Sequence, residues 1–378
     1  MEIVWGDELK EQICRKVIMV FLLFGSLFFL NINTPQAKQK PLSGEDYNGN
    51  KWVYDRETKT LTFSGTTDLE EFELDGHSPE PGWWCWNNEA EHLVIENGIT
   101  GLPGEEFSDF YKLKTIELPD TVTYIGHCVF DNCRELKTIN MPKNIISIGN
   151  NAFISCHNLQ DISIPEKVTT IGEGAFCGCK SIKKLEIPEK VTKIGALAFA
   201  ECENLEAIKL PKDLTVIEEG LFRNCKKLLK VILPTSVKKI QIAAFLGSGI
   251  TSMEIPENVM SFYKGKGMYE YDTNGIFQKC KNLKVITIKS KNLNYIYKGA
   301  FSGLSKNTVI KVPKSCLKKY KKMFHKAGLD KKVKVKAISG KKKFSPIIVK
   351  DCPVTKARVT ISGHKYGICK VAGNADNK

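Results

Sequence analysis

The chain has 378 residues, enough for two average domains or for one long repeat array that escapes the usual limit on domain size. Its 42% hydrophobic and 26% charged residues are the composition of an ordered protein, which excludes a disordered scaffold and a polytopic membrane protein. The net charge of +14 is concentrated: Lys311 to Lys350 holds fifteen Lys against one acid, Asp330, and carries the whole excess. That distribution argues against a nucleic-acid-binding fold, which needs its cations on the face that docks the duplex.

At the N-terminus, Arg15-Lys16 precede Val17 to Leu30, an uncharged, mostly apolar stretch that gives way to polar residues from Asn31 to Lys40. It is shorter than the roughly twenty residues a membrane-spanning helix needs and fits the apolar core of an export signal. Residues 1–37 are therefore expected to be a signal peptide, with Ala37 a candidate last residue, or an N-terminal membrane anchor; a buried core segment is the bland alternative. Residues 38–92 read as a cap. Trp52-Val53-Tyr54 and Leu61-Thr62-Phe63 flank a polar turn as a hairpin does, and Trp83-Trp84-Cys85-Trp86 follow. These aromatics either close the open edge of the next element or offer a platform to a ligand such as a sugar.

From about 93 to 312 the chain repeats with a period of 23. Phe recurs at 107, 130, 153, 176, 199, 222 and 245, Pro at 119, 142, 165, 188, 211 and 234, and Cys at 133, 156, 179, 202 and 225. Between them run Ile125, Ile148, Ile171, Ile194, Ile217 and Ile240, followed in the first four coils by Gly126, Gly149, Gly172 and Gly195. The alternation of Ile162 and Ile164 predicts a short strand with one buried face. Pro165 ends it, because proline cannot donate to a continuing ladder, so every coil turns at the same height. Gly is read as a permissive corner and Ala-Phe as a small residue beside an inward ring. One coil cannot bury this stripe alone, whereas stacked coils can, so a solenoid is expected. Its array continues irregularly to Phe277 and Phe301.

Beyond Val312-Pro313, a helix is expected near Lys314 to Ala327, with Leu317, Tyr320, Phe324 and Ala327 on one stripe and Gly328 as a stop. Residues 313–343 thus form a C-terminal cap helix and basic segment. Residues 344–378, with Val359-Thr-Ile-Ser, read as a tail or a fragment of a β-domain.

The 23-residue unit, with its I-P, I-G, A-F and C columns, resembles the BspA-like, or Treponema-type, leucine-rich repeat of bacterial surface proteins over roughly residues 93–312. The hairpin and Trp cluster resemble the N-terminal cap of Firmicutes members. The resemblance implies a leucine-rich-repeat solenoid: a right-handed, β-rich superhelix with one short strand per coil, a β-hairpin cap and a short helix cap. It also implies a secreted or cell-surface protein that binds other macromolecules, with adhesion to host or neighbouring cells as the common theme. No ligand residue carries over, because the shared motif consists of buried scaffold positions.

Thirteen Cys raise metal and disulfide hypotheses, but the Cys column is filled by Phe110, Ser248 and Leu304 in other coils, which favours buried thiols. Cys352 and Cys369 could form a tail disulfide. Cys128 beside His127 is a weak nucleophile–base pair, since adjacent residues rarely point together. No metalloprotease or serine-hydrolase motif occurs. No catalytic, cofactor or metal site is therefore expected. Partner-binding candidates lie on the outward positions of the repeated strand: Glu117, Asn140, Ser163, Glu186, Lys209, Ile232, Glu254 and Thr287. A merely solvated face is the competing reading. Pro256 to Phe277 carries about ten residues more than other coils, including Tyr263, Met268, Tyr269 and Tyr271, and reads as a contact loop or as tolerated drift. The expected partners are an extracellular protein and, through the Lys-rich tail, anionic wall polymer; membrane contact is confined to the N-terminal segment. The alternative function is an envelope-associated spacer held by that segment or by the basic tail.

Overall fold

The computed structural model describes residues 40–69, 82–264 and 274–339, with the backbone of two short paired strands at Thr360–Ile361 and His364–Lys365. The expected signal or anchor segment at 1–37, Met268, Tyr269, Tyr271, the triple lysine at 341–343 and the expected Cys352–Cys369 pair lie outside the described residues.

Coils of 23 residues stack in register, and most of the regular ones carry two strand segments where the sequence pattern predicted one. The predicted strand builds the first ladder, which starts in the cap. Ser43–Glu45, Lys51–Asp55 and Thr60–Ser64 pair antiparallel, and Thr60–Ser64 then pairs parallel with His92–Ile95, followed by Thr115–Glu117 and Thr138–Asn140. The hairpin is thus the first layer of the repeat sheet. Two later blocks continue it, Lys184–Glu186 with Ala207–Lys209, and Ser252–Ile255 through Val285–Ile288 and Val309–Val312 to Lys334–Ala337. Between the blocks hydrogen bonding lapses, to a lone bridge of Thr138 with Asp161 and to no strand at all around Ile232. Ile162, Ile164, Val231 and Leu233 nevertheless stay buried, so side-chain packing, not the ladder alone, holds the stack.

The second ladder runs on the Ile column that precedes Gly. Ile125, Ile148, Ile171 and Ile194 face one another in successive coils, and a further block links Val216–Ile217, Lys239–Gln241, Ser261–Tyr263 and Tyr295–Ile296. Between the ladders each Pro carbonyl accepts the N–H three residues on, as Val168 N to Pro165 O at 3.0 Å and Val191 N to Pro188 O at 3.1 Å. This makes the proline a turn former as well as a strand stop.

The Phe column is one continuous stack. Centroids from Phe107 to Phe277 are 5.4–6.2 Å apart with interplanar angles of 2–23°, offset stacking that adds to burial. The Gly column has a different cause from the one read in the sequence. A Cβ on Gly126 would lie 1.6 Å from Pro103 O, on Gly149 2.3 Å from Gly126 C, and on Gly172 2.4 Å from Gly149 C. These glycines permit backbone-to-backbone approach between coils, whereas the left-handed corners sit on either side of Phe and are filled by such residues as Asn132, Ser155 and Leu197.

Both ends are closed. Trp52, Tyr54, Trp83 and Trp86 are buried; Tyr54 stacks on Trp86 at 4.0 Å, and Trp83 meets Phe63 edge-on at 5.2 Å. The indole N–H groups of Trp86 and Trp83 donate to Pro41 O and Glu106 O. These rings cover the first coil, so the platform reading of the cluster loses its surface at those four positions. At the other end Leu317–Lys326 is the expected helix. Its Tyr320 and Phe324 are buried, with Phe324 packed on Phe301 at 5.0 Å.

Candidate functional site

In the first ladder, residues facing inward and outward alternate, so the inward Ile column leaves a parallel row in solvent. Glu117 and Asn140 are direct register partners, as are Glu186 with Lys209 and Glu254 with Thr287. Glu117, Asn140, Ser163, Glu186, Lys209, Ile232 and Glu254 are all exposed, and Thr287 is half-buried. Lys209 pairs with Glu186, which raises its pKa through the carboxylate bond; Lys289 pairs with Glu254 at 2.5 Å.

The row is not uniform. Ile232 is 73% exposed and its coil neighbour Leu229 is 54% exposed, an apolar island between the Glu186–Lys209 and Glu254–Lys289 pairs. Both residues fall where the ladder lapses. At the other lapse, a hollow of about 540 Å³ opens among Asn140, Met141, Asn144, Asp161 and Ser163, and a shallower one of about 320 Å³ lies over Leu185 and Ile208. The row thus combines an exposed apolar pair with flanking ion pairs, the mix of anchor and charge that contact surfaces use.

Tyr263 does not join this row. It ends a second-ladder strand, 43% exposed, near Tyr295 at 48% and Met260 at 44%. Sequence reasoning missed Leu229, Met260 and Tyr295. The signal for Tyr295 was its place just before the column residue Ile296, a position that is exposed at Lys193 and Lys239 as well.

The remaining candidate chemistry resolves into structure. Each column thiol donates to the Phe carbonyl of the preceding coil: Cys133 to Phe107, Cys156 to Phe130, Cys179 to Phe153, Cys202 to Phe176 and Cys225 to Phe199, at 3.1–3.2 Å, and Cys280 to Phe245 at 2.9 Å. Burial holds the first five thiols well above their ordinary pKa and raises that of Cys280, so they are inert hydrogen-bonding fillers. None of the ten described cysteines forms a disulfide. Cys128 is also pushed up, to about 11, mainly by burial and then by Asp131 and Glu105. Its neighbour His127 lies 3.5 Å from Glu105 instead, so the pair does not form an activated nucleophile. Among the described residues no group of three His, Cys, Asp or Glu could hold a metal ion, and no helix is long and apolar enough to cross a membrane.

A stack of 23-residue coils with two parallel ladders and a continuous apolar interior is a leucine-rich-repeat scaffold, a class that acts by binding. The chain belongs to the family with the BspA-type leucine-rich-repeat region, whose model matches in six copies across residues 58–160, 81–204, 146–274 and 265–345. No curated protein gives a significant match. Similar solved structures include a leucine-rich repeat protein from Bacteroides ovatus, 25% identical over 76% of this chain and 77% of that one, with a TM-score of 0.49. A leucine-rich cell surface protein from Faecalibacterium prausnitzii is 20% identical over 80% and 74%, TM-score 0.43. The pneumococcal vaccine antigen PcpA is 19% identical over 79% and 99%, TM-score 0.40.

Proposed function

We propose that this chain is an exported or cell-surface recognition module whose repeats bind an extracellular protein, in the manner of an adhesin, through the outward row of the first ladder. The observation that carries the reading is the Ile232–Leu229 island, exposed on a rigid scaffold and flanked by two ion pairs. An apolar anchor supplies affinity while the surrounding charges select the partner and its register. Export is supported by the uncharged stretch Val17 to Leu30 behind Arg15-Lys16, and by the family's association with bacterial surfaces.

The test is binding of the full chain to immobilised extracellular proteins, comparing wild type with Ile232→Ser and with Glu186→Lys combined with Lys209→Glu. Loss of binding in both variants, at unchanged unfolding midpoint, supports the reading; equal binding by all three proteins removes it. The second reading, an envelope-associated spacer anchored by its basic end, draws on the eleven Lys between 311 and 339 against the single acid Asp330. It predicts no protein ligand and no effect of either variant.

A further inference from the structure

The second ladder presents a different surface, and its character changes along the axis. In the N-terminal half the positions after the Ile column are glycines packed backbone to backbone, so no side chains rise there. In the C-terminal half the same column reads Glu218, Gln241 and Tyr263, and the column before Ile reads Val216, Lys239, Ser261 and Tyr295. Tyr263 and Tyr295 stand in solvent with centroids 6.0 Å apart and planes tilted by 52°. Lys239 Nζ lies 5.8 Å over the Tyr263 ring, and Lys238, Lys264 and Lys298 are exposed on the same strands or just beyond them. Glu218, at the margin, is held by Gln241.

The lysine-rich helix continues this face. The Tyr320 hydroxyl donates to Ser290 O at 3.0 Å and accepts from Leu293 N at 3.1 Å, within the segment leading into Tyr295. Gly299 N donates to Ala327 O at 2.9 Å. The helix therefore occupies the next layer after the Tyr295 coil, with Lys318, Lys319, Lys321 and Lys322 exposed. Asp330 is engaged by Lys306 at 3.9 Å.

We infer that the second-ladder face from Lys239 through Tyr263 and Tyr295 to the helix lysines is a binding site for a linear acidic polysaccharide. Two tilted rings form a shallow cradle that suits the C–H faces of a puckered sugar better than a flat base, which stacks on parallel planes. Lysines on both sides of the rings supply charge complementarity for carboxylate or sulfate groups along a chain. This site is separate from the protein-recognition row and does not depend on it.

The experiment measures affinity of the full chain for heparin and hyaluronate fragments across a salt series, beside neutral dextran, linear polyphosphate, an oligothymidylate and anionic vesicles. Wild type is expected to prefer the acidic glycans. Tyr263→Ser combined with Tyr295→Ser is expected to weaken them roughly tenfold, on the scale of lost contact anchors, with little change in salt dependence. Lys319→Ser combined with Lys322→Ser is expected to flatten the salt dependence. Tyr295→Ser alone and Tyr47→Ser, the latter in the cap, guard against misfolding: the first should weaken glycan binding at a native unfolding midpoint and the second should not. Glu186→Lys with Lys209→Glu should leave glycan binding unchanged, which separates this site from the first. Polyphosphate, oligothymidylate or vesicle binding equal to glycan binding would overturn the inference in favour of charge alone. Dextran binding equal to heparin, or tyrosine variants that bind like wild type, would also overturn it.

Discussion

Gly172→Ala adds one methyl group to an interior that has no room for it. The new Cβ would lie 2.4 Å from Gly149 C and 2.5 Å from Asn150 N and Gly149 O, all backbone atoms that cannot rotate away. Ordinary carbon contacts are near 3.5 Å, so the two coils must separate locally by about 1 Å. Bonds in the path are Gly172 N to Ile148 O at 2.8 Å, Thr169 N to Ile146 O at 2.8 Å and Phe153 N to Ala175 O at 2.9 Å. Weakening three bonds worth roughly 0.5–1.5 kcal/mol each gives a loss of about 3 kcal/mol. Alanine's smaller unfolded-state entropy returns only about 0.4–1 kcal/mol, so the net sign is destabilising. Equilibrium urea unfolding followed by circular dichroism checks this, with Glu218→Ala as control, because the equivalent position one coil beyond Gly195 already carries a side chain. A Gly172→Ala midpoint equal to wild type would refute the close-approach account of the glycine column.

The buried thiols give a second prediction: Cys133, Cys156, Cys179, Cys202, Cys225 and Cys280 should resist a thiol reagent in the native protein and react on unfolding, measured by colour release. Cys179→Ser should cost less stability than Cys179→Val, because only the hydroxyl can still donate to Phe153 O. Asp131 supplies a pH dependence. Burial first, then Asp109 and Glu105, raises its carboxyl to about 6, so between pH 4 and 6 the folded state holds more protons than the unfolded one and stability falls as pH rises. Asp131→Asn should remove that fall and stabilise the protein at neutral pH by on the order of 1 kcal/mol after allowance for solvent screening. Ser155 has a left-handed backbone, with φ of 61°, so Ser155→Gly should raise the unfolding free energy, read from urea titration, by roughly 0.5–1 kcal/mol.

The repeat columns were legible because burial in a stack demands the same residue at the same angle in every coil: Phe, Cys and Ile are exposed as a set or buried as a set. The terminal helix was legible for the related reason that Tyr320 and Phe324 share one stripe. The second ladder was not, because its strands Thr170–Ile171 and Lys193–Ile194 are two residues long, too short for an alternating pattern. The glycine column was visible, but its cause was not, since a close approach between coils is a distance between residues 23 apart and leaves no mark on local propensity. The outward row is exposed at Glu117, Asn140, Ser163, Glu186, Lys209, Ile232 and Glu254 and half-buried at Thr287, because the period-two alternation fixes which side chains point away from the core. Its division into charged pairs and the Ile232–Leu229 island depends on where the hydrogen bonds lapse, and the repeat unit gives no sign of that. Tyr295 escaped notice because the irregular coil after Pro256 shifts it out of the 23-residue phase.

The most direct test of the recognition account is binding of the full chain to immobilised extracellular matrix proteins across a salt series, with wild type beside an Ile232→Ser variant of native unfolding midpoint. The account predicts a protein ligand held with little salt dependence and lost, by roughly tenfold or more in affinity, when Ile232 is removed. Retention of anionic polymers alone, released by salt and indifferent to Ile232, would contradict it.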